Sequence, residues 1–466
     1  MGQIDRRGNP VTGAAEAVER FDAALDELTL FKNDVMESVG ALGEQHPDFA
    51  MGHAMAAYLA LSSTDGRDIE GARQALEALQ AHAANDREQT HADAIGAWAG
   101  GDWLGASRRL DDLLARWPAD LLALMFGHQL DFFQGDARNL RDRPSRSLFR
   151  MGAAHPDRGV VLGMQAFGLE EAGHYERAEA AGLEAVAANP DDVWAIHAVV
   201  HTHEMRGNVD RGITFMRERL DDWADGNFLA VHNWWHLALY HLEAGLPDRA
   251  LQIYDDRIHH AESAGLPMEM LDASALLWRL HLDGVDTGSR FAALADAWDA
   301  AEREPWYSFN DVHATMAYVG ADRLDSARRL IARLEASLAE PEDGTNRSMT
   351  AEVGLPMARA LVAFAEGDDD QVLAEIVARR RQLHHFGGSH AQRDAFERTA
   401  LESALRSGHD DLAAALVAER LSQRDTSVYG WTRQARLMRA AGLETEAERA
   451  EQSAAAHRAR FAAAAG

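Results

Sequence analysis

Three glycine-marked turns at near-constant spacing constrain this chain more than any other feature. Gly173, Gly207 and Gly245 stand 34 and 38 residues apart, and each separates two amphipathic stretches of helical length. The segment from Gly159 to Asp192 shows the design. It places Ala166 on a first helix, Gly173-His174-Tyr175 in a turn, Ala178 and Ala185 on a second helix, and Pro190 at the end. Small residues fall where two antiparallel helices must approach, and proline follows where a helix must stop. Turns at Gly135-Asp136, Gly320-Ala321-Asp322, Gly367-Asp368, Gly408-His409-Asp410 and Gly442 divide the rest of the chain in the same way. No segment sustains strand alternation, so helix is expected throughout, in antiparallel pairs.

The spacing is that of a tetratricopeptide repeat with one insertion. A length of 466 residues would ordinarily suggest several domains, but repeat proteins extend one core by stacking. The expected fold is therefore all-α: tetratricopeptide-like helix pairs stacked in a right-handed superhelix, an α-solenoid with a concave inner cavity. Residues 1–466 read as one superhelical domain, with the best-defined repeats and a histidine-rich centre at 159–260. The polar stretch 338–348, around Pro341-Glu342-Asp343-Gly344, reads as an inserted loop, and 451–466 as the end of a capping helix and its tail.

Composition narrows the chemistry. Without cysteine there are no disulfides, thiolate nucleophiles or sulfur-ligated metals. Lys32 is the only lysine, so a Schiff base or phosphate-loop lysine would have to use that single position. Histidine, carboxylate, hydroxyl and arginine remain. A formal net charge of −29 argues against nucleic acid and anionic membrane as partners, since both are drawn to basic surface. The run Arg379-Arg380-Arg381 reads as a solvated helix end. With no apolar run of membrane-spanning length and no leader-like amino terminus, a cytoplasmic protein is expected. Self-association is left open.

Two helical stretches carry the histidines. Trp194-Ala195-Ile196-His197-Ala198-Val199-Val200-His201-Thr202-His203-Glu204 and His232-Asn233-Trp234-Trp235-His236-Leu237-Ala238-Leu239-Tyr240-His241 lie in successive units. Residues four apart stack on one helical face, so His197 with His201 and His232 with His236 each form a two-point claw. Such pairs can ligate a divalent transition metal, with Glu204 beside them as base or outer partner. The His-Glu-x-x-His protease pattern is absent, and a metal-free polar pocket is the preferred reading. His203 and His241 read as core histidines, and Trp234 as packing.

These blocks, together with Asp48-Phe49-Ala50-Met51-Gly52-His53 and Gly387-Gly388-Ser389-His390-Ala391-Gln392-Arg393-Asp394, resemble the tetratricopeptide repeat protein 38 family over most of the chain. The resemblance implies an all-helical superhelix and supplies no reaction. Tetratricopeptide phasing further implies that Trp194, His197, His201 and Glu204, then His232, Trp235, Leu239 and Leu242, face the concave side.

The expected catalytic set is His197, His201, Glu204, His232, His236 and His313. Trp194, Trp235, His53, His128, Asp311, His390 and Arg393 are expected to contact substrate, Arg393 as a carboxylate or phosphate dock at a helix start that Ser389 caps. The function expected is binding of a small polar molecule in a His/Trp-lined cavity, with hydrolytic or lyase chemistry by histidine acid and base groups, metal-assisted or not. The alternative is a scaffold holding a peptide or protein in an open groove.

Overall fold

The computed structural model describes residues 2–301, 305–339 and 344–466. Helices follow one another through these residues, and one apolar core runs from Val11 to Phe461. The expected turns are built alike. Gly173, Gly207 and Gly245 adopt φ of 77°, 67° and 74°, where a Cβ would be strained. At each, the glycine N–H and the next residue's N–H return to carbonyls of the finished helix, as in Gly207 to Glu204 (3.0 Å) and Asn208 to His203 (2.8 Å). Aspartates open many of the helices: Asp120, Asp136 and Asp192 accept from Ala123, Asn139 and Ala195.

Ala166, Ala178 and Ala185 are fully buried, as the small-residue pattern requires. Two helices meet backbone to backbone at Gly168, where a Cβ would stand 2.2 Å from the Leu140 carbonyl oxygen. Gly168→Ala therefore drives two helix backbones apart, and we expect a loss of about 3 kcal/mol in urea unfolding. Gly40→Ala, on the exposed face of the helix Val35–Gln45 with nothing within 4 Å, should instead stabilise by about 0.5–1 kcal/mol. Equal effects at the two positions would contradict this packing.

Three features depart from the sequence reading. Gly2–Ile4 and Pro10–Thr12 form a short antiparallel hairpin, so the chain is not helical from its first residues. Arg87, fully buried, donates to Pro10 O (3.1 Å) and Asp120 (2.6 Å), tying the hairpin to the helices. Second, the expected concave cavity is filled from within. The helix His390–Ser407, hereafter the clamp helix, packs against Val193–Met205 and Pro267–Leu282. Arg279 donates to the Ala391 carbonyl, and Trp278 Nε1 to Thr399 Oγ1 (2.9 Å). Third, 344–348 is fastened in place: Thr345 N–H donates to Gly101 O (2.9 Å), Thr345 Oγ1 accepts from Trp103 N–H (3.0 Å), and Asn346 accepts from Ser308 N–H (2.7 Å). Glu340, Pro341, Glu342 and Asp343 of the expected loop lie outside the described residues. The terminal helix Glu444–Ala465 buries Phe461 completely, and Arg217 donates to Ala464 O.

Candidate metal centre

The two histidine helices, Val193–Met205 and Ala230–Glu243, turn their claws toward each other. His197, His201, His232 and His236 each offer a ring nitrogen, and these four atoms lie within 4.8 Å of one another. His232 Nε2 is 3.0 Å from His197 Nε2 and 3.2 Å from His236 Nε2. The far edges of two rings are held by carboxylates: Asp272 Oδ2 is 2.7 Å from His232 Nδ1, and Glu204 Oε2 is 2.9 Å from His236 Nδ1. Ionised, each accepts an Nδ1–H and fixes the tautomer with Nε2 bare.

Burial dominates the electrostatics. His197, His201 and His236 are held well below the ordinary histidine range by burial, with neighbouring imidazoles adding to the effect. They are neutral near pH 7, the form that ligates metals. Burial pushes Glu204 up. Burial, then its neighbours Glu171 and Glu204, pushes Glu170 well up. Burial would raise Glu171 too, but His390 and Arg393 hold it down.

Of the remaining expected residues, the structure gathers some and scatters others. Trp194 lies against His197 with ring centroids 4.8 Å apart and stacks on Phe31. His128 packs edge-on to Trp194 with neither ring nitrogen hydrogen-bonded, and burial lowers its pKa to about 3. Trp235 walls no open cavity: it is fully buried and stacks on His232 at 5.3 Å. His313 is not part of the cluster. Its Nδ1 meets the Phe309 carbonyl at 2.7 Å and its ring packs on Phe309 and Phe396, because its helix presents that face to the aromatic core. Asp311, two residues earlier, turns to a different groove with Trp298, Tyr318 and Arg333. His53 belongs to the amino-terminal helices, bonding Pro47 O at 2.8 Å and stacking on His82. Lys32 sits on the surface, 3.6 Å from Asp191.

Ser389 caps the clamp helix in a reciprocal box with Gln392. Arg393 does find a carboxylate, but it is the protein's own Glu171, at 3.2 Å, and it also donates to the carbonyls of Gly387 and Gly388. His390 meets the same glutamate through its backbone N–H (2.9 Å) and its ring, whose Nε2 is 3.1 Å from Glu171 O.

Sequence reasoning missed Asp272, Glu170, Glu171 and Gln392. A signal existed for the first: Asp272 interrupts the apolar run Met270-Leu271-Asp272-Ala273-Ser274-Ala275-Leu276-Leu277, and a lone carboxylate on a buried face needs a partner. Glu170 and Glu171 end a first helix just before its glycine turn, where acidic residues look solvated.

No family model matches the chain. Among solved structures, the human IFIT1 dimer with PPP-AAAA shows 13% identity and a TM-score of 0.41, over 97% of this chain and 95% of that one. An IFIT1 monomeric mutant with Gppp-AAAA gives 13% identity, a TM-score of 0.38 and the same coverage. The helical-repeat architecture rests on this chain's own glycine-turned helix pairs. The IFIT1 proteins are seen with Gppp-AAAA and PPP-AAAA. The expectation that excluded nucleic acid rested on net charge alone, which averages a surface whereas recognition is local. That exclusion is withdrawn. Among the described residues no helix is long and apolar enough to cross a membrane.

Proposed function

We propose that this chain is a metal-binding helical-repeat protein, holding one divalent first-row transition ion among His197, His201, His232 and His236. One observation carries the reading: one ring nitrogen from each of the four histidines lies within 4.8 Å of the others, with His232 Nε2 3.0 Å from His197 Nε2 and 3.2 Å from His236 Nε2. A cation among them would give these converging ring nitrogens a common partner. Tetrahedral ligation at metal–nitrogen distances near 2.0–2.1 Å puts ligand nitrogens about 3.3 Å apart, close to the 3.0 and 3.2 Å found here. An all-imidazole set suits zinc, copper, iron or nickel.

The metal-free pocket favoured from sequence fits these distances less well. Ring centroids 4.3 to 6.3 Å apart leave space for an ion and none for an organic substrate among the histidines. The cavity beyond Glu204, lined by Arg279, Asp394, Arg398 and Arg424, offers about 30 Å³, room for water. Hydrolytic or lyase turnover would need an open ligand position and a substrate space. We therefore favour a held ion over turnover in this conformation. The histidine blocks that resemble the tetratricopeptide repeat protein 38 family contain all four ligands, and we assign the chain to that family on the same reading.

Elemental analysis of tagless protein tests the proposal. Near-stoichiometric transition metal is expected, and His232→Ala/His236→Ala should lose it. A metal content near zero in carefully loaded wild-type protein would end the metal reading.

A further inference from the structure

Beside the four-histidine centre, on the side of the helix Arg158–Glu171, lies a group that this function does not use. Glu170 is fully buried, and neither of its carboxyl oxygens makes a hydrogen bond of ordinary geometry. His201 is also fully buried, and neither ring nitrogen is hydrogen-bonded. The two face each other, with Glu170 Oε2 3.7 Å from His201 Nδ1. Glu171 completes the group: Glu170, Glu171 and His201 can each present a ligand atom within 4.8 Å of the others.

We propose a second cation subsite formed by Glu170, Glu171 and His201, so that the protein holds a pair of metal ions sharing His201. The inference rests on the reading of the four-histidine centre as the first subsite. His201 gives Nδ1 to the carboxylate-side ion and Nε2 to the histidine-side ion, as an imidazolate whose ring proton leaves to solvent. The charges favour this. Arg393 and His390 are both committed to Glu171, so an ionised Glu170, which meets His201 at 3.7 Å, is uncompensated in a buried place. A divalent ion supplies the missing charge and gives both unpartnered groups a ligand. The ligand sets differ in kind. The histidine side is all nitrogen, while the carboxylate side is oxygen-rich and suits a harder ion.

Metal-stripped full-length protein is titrated with Co²⁺, freed of excess ion by gel filtration, and its cobalt counted per chain. Wild type should retain two ions and Glu170→Gln, a near-isosteric change, one. Thermal unfolding of the variant checks that it is folded; should it not fold, Glu170→Ala takes its place in the same count. One ion in wild type overturns the second subsite and leaves the first, with Glu170 then carrying a proton. Two ions in both proteins also overturn it, since the second would lie elsewhere. No ion in wild type removes the first subsite, and this inference with it.

Discussion

Asp394→Ala should destabilise the protein by about 3–5 kcal/mol, as expected when one partner of a buried ion network is deleted. Asp394 is 5% exposed and accepts from Arg398 (2.9 Å), Arg420 (2.6 and 3.1 Å) and Arg424 (2.9 Å). Without it, these three guanidiniums, themselves nearly buried, are left with Glu243 and, for Arg398, Asp283 to balance them. Burial alone would raise the Asp394 pKa, but the three arginines hold it well below the usual carboxylate range. A depressed carboxyl pKa contributes stability that is fully present above the unfolded value of about 3.9 and is lost as pH falls below it. Denaturant unfolding of the variant should thus show its full deficit at pH 7 and a shrinking one toward pH 3. A deficit below about 1 kcal/mol at pH 7 would mean the network is solvated and exchangeable.

On the four-histidine reading, removing the metal should have an effect of similar size. An ion bound at a thousand times its dissociation constant stabilises the folded state by about 4 kcal/mol, because the unfolded chain has no assembled site. Chelator-treated protein should therefore unfold at lower temperature than the same protein reloaded with Zn²⁺. His232→Ala/His236→Ala should lose the part of this stabilisation that the four-histidine ion supplies. Identical unfolding of stripped and reloaded wild type would count directly against the four-histidine reading.

The local chemistry of the fold was legible in the sequence because it repeats. Gly173, Gly207 and Gly245 are required by a backbone conformation that side chains resist, and the alanines by helix contact, so spacing alone located the hairpins. The i,i+4 pairs His197/His201 and His232/His236 were legible for the same reason: helical geometry is local. What faces them was not. Asp272 is 40 residues from His232, and Gln392 is 120 residues from Asp272; no periodicity reports which turn of a superhelix meets which. The filled interior was hidden likewise, since the clamp helix carries the same alternation of apolar and polar residues as one facing an open groove. His313 and Asp311 were assigned by analogy of position, yet their helix packs on another face of the core. The amino-terminal hairpin is too short for strand alternation to register.

Gln392 has a second role beyond capping. Its Oε1 accepts the Ser389 N–H (3.0 Å), while its Nε2 reaches Asp272 Oδ1 at 3.3 Å, the carboxylate that orients His232. In the order of synthesis, all four histidines leave the ribosome well before this glutamine does. A chain interrupted ahead of the clamp helix would carry every ligand and lack the brace that aligns one of them. Assembly of the proposed centre should therefore depend on synthesis having passed Gln392, and a product truncated ahead of the clamp helix should differ in ion content from one that includes it.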